Sequence, residues 1–184
     1  MRILLTMALV LLTATALVAG PSPSPTPNPT VAALARLSGQ AFDVAFMRAI
    51  IPTHEEAVEI ALAATLNADH PELLQWNQKV IDRKSGQVRQ MLAWLQQAGA
   101  SPAGRNAGVV TPPVKQMRAL GGAALERVYL PMMAAHLDQS VALGALAATK
   151  AGKPELRTLA QGMVTVERQE AAMLRGWLKQ WYSR

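Results

Sequence analysis

A chain of 184 residues with a formal charge of +6, half of it apolar and none of it cysteine, has room for one domain around a single core. The missing thiols exclude disulfides, zinc ribbons, cysteine nucleophiles and lipidated cysteine anchors. Arg and Lys are spread along the chain without a long run, so the positive charge reads as a solvated surface and not as a nucleic-acid footprint.

Arg2 precedes an apolar stretch, Ile3 to Val18, broken only by Thr6, Thr13 and Thr15, which is the layout of a secretory signal. Ala14-Thr15-Ala16 fits a small-x-small cleavage pattern. The stretch also nearly reaches the roughly 17 residues that span a bilayer, so an uncleaved anchor is the alternative. Leu17-Val18-Ala19-Gly20 is followed by Pro21, which rules out lipidation. Residues 1–20 are therefore expected to export the chain to the periplasm or beyond, with membrane contact only through an uncleaved N-terminal segment. Pro21 to Thr30 alternates proline with small polar residues, the pattern of an extended, solvated spacer. We place this linker at 21–34 and the folded domain at 35–184.

The domain carries an internal duplication. Shifted by 83 positions without a gap, Leu37, Gly39 and Ala41 superpose on Leu120, Gly122 and Ala124, Pro71-Glu72-Leu73 on Pro154-Glu155-Leu156, and Trp94-Leu95 on Trp177-Leu178. Asp43 meets Glu126, and Phe46 meets Tyr129. Repeat one covers 37–99 and repeat two 120–182. In the first, Phe42, Phe46, Ala49, Ile50, Ala57, Ile60, Ala61 and Ala64 recur at three- and four-residue steps, which predicts an amphipathic helix. It should stop before Asp69-His70-Pro71-Glu72, where a polar cap and a proline in the first turn announce a second helix; Lys153-Pro154-Glu155 repeats the turn. A Gly- and Pro-rich loop from Gly99 to Pro113 separates the copies. Ala, Leu and Met supply most of the apolar residues, which favours helix over sheet. A lone hairpin cannot bury its apolar stripe, so the expected fold is all-α, a ferritin-like four-helix bundle closed by two tandem hairpins.

The chain has three histidines, His54, His70 and His136. No Glu-x-x-His pair for a di-iron site, no P-loop, no nucleophile elbow and no dinucleotide fingerprint occurs, so no enzyme is expected. On a helix, Met132, Met133 and His136 share one face, with sulfur three and four residues before the imidazole. Thioether plus imidazole suits a soft monovalent ion, Cu(I) or Ag(I). His54, with Met47 two turns earlier, is a second and poorer candidate. The competing reading makes these methionines core filler. His70 reads as a turn residue, the four tryptophans as packing anchors, and the mixed-charge stretch from Glu167 to Lys179 as a solvated face.

Phe42-Asp43, Phe46, Ile50-Ile51-Pro52-Thr53-His54 and Met91-Leu92-Ala93-Trp94-Leu95 in the first copy resemble the bacterial family known as domain of unknown function 305. So do Leu125-Glu126, Tyr129, Met133-Ala134-Ala135-His136-Leu137 and Trp177-Leu178 in the second. The resemblance spans Leu37 to Tyr182. It implies a ferritin-like bundle, usually exported, whose members include copper- or silver-binding proteins that use paired histidines and methionines. This chain departs from the pattern. Thr53 replaces the first histidine of the pair in copy one, Leu137 the second in copy two, and Ile50 the motif methionine. Two functions are therefore expected to compete: soft-metal binding or buffering outside the cytoplasm with a degenerate site, and a metal-free structural or protein-interaction module tethered at the cell envelope.

Overall fold

The computed structural model describes residues 28–103 and 110–183. The export signal, most of the proline-rich stretch and part of the loop between the repeats lie outside the described residues. Among the described residues, no helix is long and apolar enough to cross a membrane.

Four long helices carry the fold: α2 (Gly39–Thr65), α3 (Pro71–Gln97), α5 (Gly122–Lys150) and α6 (Pro154–Tyr182). They form the two hairpins and close the bundle that the duplication predicts. Two short helices were not foreseen. The first, α1 (Pro29–Leu34), starts inside the stretch read as a solvated linker; Asn28 caps it by accepting from the Thr30 amide at 2.9 Å. Its Leu34 is buried in the apolar cluster that also holds Phe42 and Ala151, so the folded unit begins ahead of residue 35. The second, α4 (Pro112–Ala119), occupies the end of the inter-repeat loop and buries Val114 and Met117.

Equivalent residues play equivalent parts. Gly39 and Gly122, 83 positions apart, open α2 and α5 with φ of 55° and 53°, a left-handed backbone that glycine adopts without a Cβ penalty. Pro71 and Pro154 stand in the first turn of α3 and α6, where the missing N–H is no loss. Each copy also caps the other. Asp43 on α2 accepts from the amides of Gly152 and Lys153 at 2.8 Å each, ahead of α6. Glu126 on α5 accepts from the amides of Asp69 and His70 at 2.7 and 2.9 Å, ahead of α3. The motif acid thus places a negative charge where the partner hairpin's second helix exposes its unpaired N–H groups.

The core falls into two apolar halves. One contains Phe42, Phe46, Met47, Ile50, Val88, Met91 and Leu156; the other contains Leu73, Leu125, Tyr129, Leu130, Met133, Ala171 and Leu174. The 83-residue offset exchanges them, Ile50 for Met133, Met91 for Leu174 and Leu156 for Leu73. A pseudo-twofold axis therefore passes between the halves, and the residues that sit there are polar.

Candidate metal centre

The methionine–histidine face lies on α5 next to this midplane. Met133 is fully buried in its apolar half, and Met132 packs on the edge of the same half. One turn later the half-buried His136 reaches across to α2, where its Nε2–H donates to the carbonyl of Thr53 at 3.0 Å. The acceptor has no proton to give, so the bond fixes the hydrogen on Nε2 and leaves the lone pair on Nδ1. Burial, and then the charge of Lys84, lower the pKa of His136, against weaker opposing pulls from the Thr53 carbonyl, Glu56 and Glu167. A neutral ring with a free Nδ1, one turn from two thioethers, is a donor set that fits a soft cation.

His54 meets different company. It is completely buried, and its Nδ1 faces the Lys84 ammonium at 3.4 Å. Lys84, itself fully buried, donates to Glu167 Oε1 at 2.7 Å. Burial lowers the pKa of Lys84 while the Glu167 carboxylate pulls it back up; a carboxylate at that distance retains the proton on the amine. Burial, then Lys84, His136 and Arg83, hold the pKa of His54 well below its ordinary value, so its ring is neutral. Met47, expected beside it, packs in the apolar half of Phe42 and Phe46, about 10 Å along α2 from His54 at 1.5 Å per residue. Met132, Met133 and His136 all lie within α5, whereas His54 is turned toward a lysine.

In the mixed-charge stretch from Glu167 to Lys179, Arg168, Arg175 and Lys179 are exposed as expected, but Glu167 itself is buried. The signal for this was present. Val80, Lys84, Val88 and Met91 share one face, as do Met163, Glu167, Ala171 and Leu174, and Lys84 and Glu167 are offset mates of opposite charge. Beside the pair, Arg83 Nη2 donates to Glu170 at 2.6 Å. His54 Nε2, Gln87 Oε1 and Glu167 Oε2 are buried without a hydrogen-bond partner.

His70 is more than a turn residue. Its Nδ1 lies 2.5 Å from Glu126 Oε2, its ring stacks on Trp181 with centroids 3.9 Å apart, and Tyr182 Oη donates to the same carboxylate oxygen at 2.5 Å. Trp177 stacks on Trp181 in turn. This cluster ties the end of α6 to the first turn of α3, an anchoring role consistent with the expectation for the tryptophans. Among the described residues, no three His, Asp or Glu side chains converge as a metal-holding group.

A helical bundle built from two hairpins, with a cross-capping acid in each and a Met/His face on α5, defines the class. The chain belongs to the family described as Domain of unknown function (DUF305), whose model matches residues 19–95 and 126–184. Among solved structures it resembles CopM in its Cu(I)-bound form, at 21% identity and a TM-score of 0.68, covering 76% of this chain and 97% of that one. CopM in an Ag-bound form matches at 22% identity and a TM-score of 0.66, covering 76% and 96%. A DUF305 fragment from Deinococcus radiodurans matches at 22% identity and a TM-score of 0.66, covering 75% and 95%. These likenesses establish the fold. No curated protein matches the sequence.

Proposed function

We propose that the chain is an extracytoplasmic soft-metal-binding protein that holds Cu(I) or Ag(I) through Met132, Met133 and His136. The observation that carries the reading is the tautomer of His136: its Nε2–H is committed to the Thr53 carbonyl, which leaves Nδ1 as a neutral donor one helical turn from two sulfurs. The likeness to CopM, solved with copper and with silver, supports asking the question of this fold. The signal-like residues 1–20 support the location. His54 and Met47, the poorer expected pair, are left out, because one faces an ammonium and the other packs in the far half of the core.

The rival reading, a metal-free module tethered at the envelope, draws its support from the residues at the midplane. Thr53, Ile50 and Leu137 stand where the family motif has metal donors, and a buried ion pair fills the centre. Anaerobic titration of the purified protein with Cu(I) or Ag(I), against a competing chelator, separates the two. Saturable binding that weakens by at least about tenfold, or 1.4 kcal/mol, in a Met133→Leu/His136→Ala variant is expected. Binding no tighter in the parent than in that variant contradicts the proposal and leaves the module reading in its place.

A further inference from the structure

The Lys84–Glu167 pair is not used by the reading above, yet both side chains are shut off from solvent. Both side chains are buried, they are related by the repeat offset, and they meet between the two apolar halves. The Lys84 ammonium lies 3.4 Å from His54 Nδ1 and can only donate, so that nitrogen presents its lone pair to the ammonium and Nε2 carries the hydrogen. A metal ion bound to an imidazole nitrogen sits roughly 2 Å from it, in the gap the ammonium closes. Moving the hydrogen to Nδ1 to free Nε2 would aim N–H at a cation. A metal ion at either ring nitrogen would also share this buried site with the ammonium, and two like charges that close repel.

We infer that Lys84 is a tethered cation in the bundle's central site, which occupies the lone pair of His54 and the charge of Glu167 and so keeps metal ions off His54. Uptake of soft metal is thereby confined to the Met132–Met133–His136 face, a corollary that rests on the proposed function; the exclusion at His54 stands without it. Taking the ammonium away should open the site. Lys84→Met supplies a thioether of similar length beside an imidazole, a soft pair for Ag(I). Glu167→Gln in the same chain removes the carboxylate that would otherwise be stranded and attract cations unspecifically.

The test uses silver ion as the probe on the full chain, with two readouts: the silver equivalents retained against a competing chelator, and the imidazole 15N shifts of His54. In the parent, the His54 nitrogens should not move as silver is added. The Lys84→Met/Glu167→Gln variant should retain an additional equivalent with a shift at His54 Nδ1, and adding His54→Ala should remove that equivalent. A silver-dependent shift of His54 in the parent overturns the inference, whether or not the double variant folds. So does a double variant that melts cooperatively, keeps its helical circular dichroism and gains no silver. A parent that takes up no silver beside a double variant that does would sink the proposed function and uphold the role of Lys84. A parent that binds through His136 beside a folded double variant that gains nothing would do the reverse.

Discussion

Shortening Lys84 alone strands the Glu167 carboxylate in the core, whereas shortening both partners removes two buried charges together. Breaking such a pair costs about 3–5 kcal/mol, and replacing it whole by apolar side chains is neutral or stabilising by roughly 1–4 kcal/mol. Lys84→Met should therefore lower the chemical-denaturation free energy by the first amount, and Lys84→Met/Glu167→Leu should restore it or exceed the parent. Equal loss in both variants would mean that the pair is not the buried unit described. The histidines give a pH signature. His54 and His136 both have folded-state pKa values below the ordinary one, so they stabilise the fold fully above about pH 6.5. That contribution drains away as pH falls, because the unfolded chain takes the protons first. His54→Leu, which copies its repeat mate Leu137, should flatten the slope of stability between about pH 6.5 and 5; an unchanged slope would place the titration elsewhere. At this scale the Met132–Met133–His136 face was legible because helical spacing alone aligns it. The partner of His54 was not, since a lysine read one window at a time looks like surface, and only its register with Val80 and Val88 places it inside.

At the scale of elements, the two cross-caps and the two left-handed glycines join the hairpins. Burial pushes the Glu126 pKa up, but the Tyr182 hydroxyl, the amides of His70 and Asp69 and the His70 ring outweigh it, and the net shift is downward. The ionised cap therefore stabilises the fold in full above the ordinary glutamate value near 4.5 and loses its effect as pH drops through the lowered folded value. Glu126→Gln should unfold less steeply in that acid range than the parent, while melting lower at neutral pH. Asp43→Ala should cost about 0.5–2 kcal/mol, as loss of a helix N-terminal cap does. The glycines offer a paired test. Gly122→Ala puts a Cβ 2.7 Å from Asp69 Oδ2 on a backbone with φ of +53° and should destabilise by at least about 1–2 kcal/mol. Gly162→Ala, within α6 and with nothing inside 4 Å of the new Cβ, should stabilise by about 0.5–1 kcal/mol. Melting temperatures that move the same way for both would contradict these placements. The long helices were readable from periodicity and from the Pro71 and Pro154 turns. The short α1 and α4 were not, because six and eight residues after proline carry too little period to outweigh a composition typical of linkers.

For the whole molecule, the duplication explains more than the helix count. An ancestral-type hairpin leaves its apolar stripe open, and here each copy closes the other's core half, caps the other's second helix and supplies one member of the central ion pair. The two copies then diverged where they meet: Lys84 against Glu167, Thr53 against His136, His54 against Leu137, Ile50 against Met133. At these mated positions the sulfur of Met133 and the imidazole of His136 are both on α5. The offset was visible in the sequence, and the bundle followed from it, but the depth of each mated position required knowing how the halves are arranged about the axis. The two functional readings divide on which sulfurs, if any, meet a soft ion. Labelling the methionine methyl groups with 13C and adding Ag(I) answers that. The Met132 and Met133 methyl resonances should shift together and saturate with His136 Nδ1, while those of Met47, Met91 and Met163 stay fixed. Methyl resonances that all remain in place, or a response at Met47 instead, would overturn the proposed site.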